Sequence, residues 1–300
     1  MNSPSATTRA LIYAHWDRDG LVDPYVIHAL REYRGVVDRL VFVSTHCTHV
    51  CPALASLADE VVIRDNEGFD FASWREGLGR FDVAAYDEII FANSSVYGPL
   101  WPIGGCLSTP AARQADLWGM TVSSEPEVHL QSYFMGMSRR LLASDCGRRL
   151  WEGVRLVTDK RDAIDHYELR WMAECLANGF VVHALFDGRG YPRVALGEQL
   201  ANMACWPPWQ KRVRRYRRSI RRPAYNPSHL HWKAVLESGV PLLKVDLLRD
   251  NPVGIDTQRI HDWLAAHTAY PVQIIHDHLA RMQRRRASGS EPAEIGRAHV

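Results

Sequence analysis

EVVIRDNEGFDFASWREGLGRFDVAAYDEIIFANSSVYGPLWPI, residues 60–103, is the stretch whose pattern decides the fold. A short apolar strand, Val61 to Arg64, runs into the polar turn Asn66-Glu67-Gly68. A helix is predicted from Phe69 to Leu78, and a second strand, Glu88 to Ala92, stops at Asn93-Ser94-Ser95. Strand, helix and strand in that order make a βαβ unit. Such a unit gathers loops and helix starts at the carboxyl edge of a parallel sheet, where anionic groups such as nucleoside diphosphates are held. Arg64, Asn66, Gly68 and Asp70 fall at that edge. Gly68 lets backbone approach a ligand closely, and Asp70 is placed to cap the helix or to hold a ribose or sugar hydroxyl. The same residues also read as an ordinary turn followed by an ordinary N-cap.

Outward from this unit the pattern repeats. Ala10 to Ala14 is a strand, Pro24 to Tyr33 a helix with Val26, Ile27 and Leu30 on one face, and Leu40 to Ser44 a second strand. Alternation of this kind calls for an α/β fold, a mostly parallel sheet flanked by helices, with Rossmann-like topology in the first hundred residues. Asp17 and Asp19, after the first strand, suit either a base or ribose contact or a turn beside Gly20. No G-x-G-x-x-G follows that strand and no G-x-x-x-x-G-K-[ST] occurs. Nicotinamide dehydrogenases and P-loop nucleotidases are therefore disfavoured.

The 300 residues are 46% hydrophobic and 23% charged, an ordinary composition with ample material for a core. No apolar run approaches the roughly 20 residues of a membrane span, and Met1 to Arg9 lacks the apolar centre of a signal peptide. A cytoplasmic location is expected, peripheral on the inner face of the plasma membrane if the basic segment described below contacts lipid. Six scattered cysteines make no secreted disulfide framework. His46-Cys47-Thr48-His49-Val50-Cys51 offers four zinc-ligand types, but no second pair follows at finger spacing, which favours a plain loop.

In the second half, Asp116 and the run His129-Leu130-Gln131-Ser132-Tyr133 interleave polar groups with aromatics. That mixture suits either a sugar site or a buried strand. Arg139 to Val154 is predicted helical, with Leu141, Leu142, Leu150 and Trp151 in the core. A helix opened by acidic residues near Asp165 and closed by Asn178-Gly179 leads into a strand from Val181 to Phe186. Between Trp209 and Arg222 stand eight Lys or Arg residues and no acid, more than the whole chain's net charge of +2. Trp209, Val213, Tyr216 and Ile220 form one apolar stripe there, so segment 206–225 reads as a basic amphipathic helix. It suits an anionic membrane surface, a packed helix or an acidic partner; no recognised nucleic-acid fold accompanies it. Helices are predicted within 256–286, and 287–300 reads as a disordered tail ending in partly non-native sequence.

Taken together, the blocks Asn66-Glu67-Gly68-Phe69-Asp70-Phe71 with Trp74, Tyr86-Asp87-Glu88, Asn93 to Leu100, Trp118 to Thr121, His129 to Phe134, Tyr167-Glu168, and Asn226-Pro227 through Trp232 to Lys244 resemble the rhamnan synthesis protein F family in order. The resemblance covers roughly residues 9 to 255. It implies a GT-A-like glycosyltransferase domain over 1–255, with a nucleotide-sugar half at 9–103 and an acceptor half at 104–255. The implied reaction moves a sugar, typically rhamnose from dTDP- or GDP-rhamnose, to a growing surface polysaccharide or lipid-linked glycan. Arg64, Asn66, Gly68, Asp70, Asn93 and Ser95 would bind the donor. Glu168 would serve as general base of an inverting displacement, with His129 or Asp116 as second choices. The family commonly has Asn-Asp-Ser where this chain has Asn93-Ser94-Ser95, so a magnesium or manganese site would have to use Asn93, Ser95 or Asp87, or cationic side chains such as Arg64 would replace it. The competing expectation is a non-catalytic, membrane-associated carbohydrate- or nucleotide-binding component of polysaccharide assembly.

Overall fold

The computed structural model describes residues 7–124, 127–157, 159–187, 226–252 and 254–287. Its strands are β1 (Arg9–His15), β2 (Arg39–Ser44), β3 (Glu60–Ile63), β4 (Glu88–Asn93), β5 (Val96–Tyr97), β6 (Leu117–Ser123), β7 (His129–Leu130), β8 (Phe134–Ser138), β9 (Val182–Asp187) and β10 (Leu243–Lys244). Eight of them form one sheet with the path β3-β2-β1-β4-β8-β6. The first four are mutually parallel. β8 is antiparallel to both β4 and β6, so β6 again runs with β1. β9 pairs in parallel along one side of β6, while β8 and β7 share its other side, against Leu117–Gly119 and Val122–Ser123. The expected α/β class and mostly parallel sheet are thus observed, and β5 and β10 make a separate antiparallel pair.

Because helices cover both faces, β1, β2 and β4 are apolar through their centres rather than alternating, with polar residues only at their ends. Alternate side chains feed two cores. Leu11, Tyr13, Phe42 and Ile90 face helix Pro24–Arg34 and the helices Thr257–His267 and Gln273–Ala287. Ile12, Val41, Val43 and Phe91 face Trp74, Leu150, Trp151 and Trp171. Helix Phe69–Leu78 lies directly on the sheet: a Cβ on Gly77 would stand 2.3 Å from Ile12 Cγ2. Trp74 Nε1 donates to Ala92 O at 2.9 Å and fastens this helix to β4.

Two expected helices differ in detail. Arg139 to Val154 is two helices, Arg139–Leu142 and Asp145–Glu152. Ser144 adopts an extended backbone and its hydroxyl accepts from Gly147 N, starting the second helix as an N-cap. The helix carrying Glu168 does not open on the acidic residues either. It begins at Lys160, widens into a π turn over Ile164–Glu168, and continues as Leu169–Ala177. Tyr167 fixes the widened turn, its hydroxyl accepting from Arg155 N at 2.8 Å and its ring 5.0 Å from that of Phe71. No helix among the described residues is long and apolar enough to cross a membrane. The basic segment 206–225 and residues 288–300 lie outside the described residues.

Candidate active site at the carboxyl edge of the sheet

Since β1 to β4 are parallel, His15, Ser44, Ile63 and Asn93 end along one edge. Asn93 organises it. Its Nδ2 donates to Asp70 Oδ2 at 2.8 Å, and its Oδ1 accepts from Ser95 N at 3.1 Å and from Ser95 Oγ at 2.6 Å. Ser94 Oγ lies 3.3 Å from both the N and the O of Trp16, tying the loop after β4 to the loop after β1. Asp70 therefore neither caps its helix nor projects freely; it bridges helix and strand at the edge.

Glu168 joins the same neighbourhood from the other half of the chain. Its Oε1 accepts from Ser132 N at 2.9 Å and Ser132 Oγ at 3.1 Å. Ser132 lies between β7 and β8, and the carbonyl of the next residue, Tyr133, accepts from Asn93 N at 3.3 Å. The Tyr167–Phe71 ring contact, one residue from Glu168 and one from Asp70, closes the circuit. The space enclosed between Glu168, Ser132, Phe71 and Trp171 is about 10 Å³, room for one water at most, so only the open side of the half-buried carboxylate can meet a ligand.

The other expected residues separate. Asn66 is exposed at the tip of the turn. Arg64 folds back on that turn, donating to Ser73 Oγ at 3.1 Å and Glu67 O at 2.5 Å. The close approach that Gly68 permits is to the chain itself: at φ 71° its N donates to Val157 O at 2.9 Å, and a Cβ would stand 3.0 Å from Arg155 O. His129 is buried on β7 with Nδ1 2.8 Å from Glu127 O, and strand alternation turns it away from Leu130, which packs beside Glu168. Asp116 and Asp87 stand at the amino edge, roughly 20 Å from Asn93 at about 3.3 Å per strand residue. Asp116 is tied there to Arg140 at 2.6 Å, Ser138 Oγ at 3.0 Å and Val181 N at 3.0 Å. Asp87 is tied to Thr8 N and Oγ1 and to Arg139, each at 2.9 Å, and the Thr8 bonds hold its carboxyl below the usual range.

The loop after β1 is built as a turn with a counter-ion. Asp17 Oδ1 accepts from Asp19 N at 2.8 Å and Leu21 N at 3.2 Å. Arg281, on the last helix, donates to Asp17, to Asp19 at 2.6 Å and to Asp23 at 2.5 Å. Burial pushes the Asp23 carboxyl up despite that contact; burial pushes Asp17 up as well, but the arginine and the Leu21 and Asp19 amides together pull it below the usual range. His278 beside them bonds Tyr97 OH at 2.6 Å, and burial lowers its pKa to about 4. His15, bonded to Ser44 Oγ at 2.9 Å, is lowered to about 4 for the same reason. The loop His46–Cys51 closes over Gly20 through Thr48 N to Gly20 O at 3.1 Å, and Cys47 Sγ bonds His49 O at 3.2 Å.

A divalent cation fits this edge poorly. Magnesium and manganese prefer anionic oxygen, whereas Asn93, Ser94 and Ser95 offer an amide and two hydroxyls, and the one carboxylate bonded to them, Asp70, accepts the Asn93 amide. Among the described residues, three potential ligand atoms within 4.8 Å of one another occur at Asp17, Asp23 and His278, where Arg281 bonds both carboxylates. Arg281 and Lys244 were missed as edge residues, whereas Ser132 stood in the polar and aromatic run singled out at 129–133. Lys244, brought beside Ser95 by the pairing of β10 with β5, carries its Nζ 4.7 Å from the Tyr133 ring centre. No local pattern marks Arg281; for Lys244 only its block, already singled out with Val240 to Leu243, hinted at a role.

The chain is similar to several known proteins. The virulence protein VirA of Vibrio anguillarum is 27% identical over 217 residues, 67% of this chain and 66% of its own. An uncharacterized protein, y4gN, of Sinorhizobium fredii is 23% identical over 132 residues, 42% of this chain and 34% of its own. The chain thus spans just under two thirds of VirA and about one third of y4gN. Among solved structures, glucosyl-3-phosphoglycerate synthase from Mycobacterium tuberculosis superposes with a TM-score of 0.32 at 16% identity, over 46% of this chain and 59% of that one. A model of rhamnan synthesis protein F matches residues 40–201, more than half of the sequence and the portion that holds Asp70, Asn93 and Glu168, so the chain belongs to the rhamnan synthesis protein F family.

Proposed function

We propose that this chain is a glycosyltransferase that moves a hexose, rhamnose in the first instance, from a nucleoside diphosphate donor to a hydroxyl of a growing polysaccharide or lipid-linked glycan. The observation that carries the reading is the convergence of Glu168, Asp70 and Asn93 on one sheet edge from distant parts of the sequence. In this scheme the donor lies over Asn93-Ser94-Ser95. The acceptor oxygen attacks the anomeric carbon from the face opposite the diphosphate, the C1–O bond to phosphate breaks, and the acceptor proton passes to Glu168. Its Oε1 is committed to Ser132, which leaves Oε2 for the proton. The configuration inverts. The basic segment 209–222 is read from its sequence as a contact with an anionic membrane carrying the acceptor.

The test is a donor panel, dTDP-rhamnose, GDP-rhamnose and UDP-glucose, incubated with the protein and membrane glycan extracts and followed by mass spectrometry of the products. A hexose added from one donor, and lost in Glu168→Gln, supports the reading. Donor binding without transfer by the wild type would favour a non-catalytic binding component instead. For the membrane contact, neutralising Arg214, Arg215, Arg217 and Arg218 should abolish binding to anionic liposomes; unchanged binding overturns that part.

A further inference from the structure

We propose that Lys244 takes the place of a divalent cation at the donor diphosphate, an assignment that rests on the nucleoside diphosphate reading above. The need for such a charge follows from the chemistry. As the bond between C1 and the phosphate oxygen breaks, its electron pair stays on that oxygen, and the departing diphosphate gains one negative charge that must be balanced. At this edge Asn93 bonds Ser95 and Ser94 bonds Trp16, and among the described residues the carboxylate bonded to them, Asp70, holds an amide, so a doubly charged ion finds no anionic cradle there.

The second, two-stranded sheet supplies the alternative. β10 pairs antiparallel with β5 so that Lys244 stands opposite Val96, and the N of Val245 donates to Ser95 O at 2.9 Å. This lysine is therefore fixed one residue from the Asn93-Ser94-Ser95 turn by backbone bonds, although 148 positions or more separate them in sequence. Its half-buried ammonium rests on the Tyr133 ring at 4.7 Å. Among the described residues it has neither an ion pair nor a hydrogen bond. The nearest acid in sequence, Asp246, is taken by His229 Nε2 at 2.9 Å. Asp246 feels the lysine's charge, but its bond goes to His229, so a half-buried ammonium with three donors and no bonded anion remains to meet a phosphate oxygen. Arg64, the other cation expected here, already bonds Ser73 and Glu67.

The experiment measures binding of UDP, dTDP and GDP by calorimetry in EDTA, then with manganese, to the wild type, Lys244→Gln and Lys244→Arg, with melting curves confirming that each variant is folded. The expected result is one nucleotide bound in EDTA, little changed by manganese, weakened at least tenfold in K244Q and restored to within about threefold in K244R. The difference should shrink as salt rises. Wild-type binding that appears only with manganese, or a K244Q affinity within twofold of wild type, overturns the assignment while leaving the glycosyltransferase reading in place. If none of the three binds the wild type with or without metal, the donor reading fails and the Lys244 assignment falls with it.

Discussion

Glu168 and Ser132 are joined twice, the carboxylate Oε1 accepting from the serine N at 2.9 Å and from its hydroxyl at 3.1 Å. The π turn that ends on Glu168 sets this geometry, and a local loss of regular helix commonly marks a working residue. Glutamine keeps the accepting oxygen but not the proton acceptor. Glu168→Gln should therefore fold normally, bind donor within about twofold of wild type, and lose transfer by about 100-fold or more, as read from product formation under saturating donor.

The metal question has its own variant. Ser94→Asp would add an anionic oxygen where the Ser94 hydroxyl now meets the Trp16 backbone. In the presence of nucleoside diphosphate, manganese should raise the melting temperature of the variant by about 2 °C or more and leave the wild type nearly unmoved. A wild type that responds equally would mean that Asn93, Ser95 and Asp70 already hold the ion.

Arg281 is the shared counter-charge of three nearly buried carboxylates, Asp17, Asp19 and Asp23. Arg281→Ala leaves them without a counter-charge and should cost about 3 kcal/mol of unfolding free energy at pH 7, measured by urea titration. The loss should be smaller at pH 4 to 5, because mutual repulsion raises the carboxyl pKa values in the variant and protonation relieves them.

His15 and His278 are both held near pKa 4 against an ordinary 6.5, chiefly by burial. Each is neutral in the fold and more readily protonated when unfolded, so its contribution is intact above pH 6.5 and disappears as pH falls through 4. At about 1.4 kcal/mol per unit, each contributes up to ~3 kcal/mol. The melting temperature should fall steadily from pH 6.5 to 4.5, and His278→Gln should roughly halve that slope.

Gly68 stands at φ 71° with Ala72 Cβ and Arg155 O at 2.6 and 3.0 Å from where a Cβ would lie. Gly68→Ala should lose about 2 kcal/mol, from the left-handed backbone and from displacement of the 155–157 strand of loop. Chemical denaturation would read the loss, and unchanged stability would show that the turn relaxes freely.

What the sequence made legible was local. The 60–103 unit was readable because its periods of 2 and 3.6 are short-range and its breaks fall at glycine and asparagine, and the same held for the strands Ala10 to Ala14 and Leu40 to Ser44 and for the helix face of Val26 and Leu30. Glu168 could be singled out from its neighbours, but not the π turn beneath it, because that turn depends on Tyr167 reaching Arg155 and Phe71. Asp116 as a second choice for the base, and Asp87 as a metal ligand, could be set aside only when strand direction put them at the opposite edge. The meeting of Lys244 with Ser95 rests on pairing between strands of two residues each, too short to carry a periodic signal.

The ion pair between Asp17 and Arg281 joins positions 264 residues apart. Its consequence concerns the order of synthesis. The first strand and its acidic loop leave the ribosome long before their arginine exists, and until then three carboxylates stay hydrated and mutually repelling. The loop that touches Ser94 gains its counter-charge only once residue 281 has been made, so a nascent chain cannot complete this sheet edge before its last helix is present.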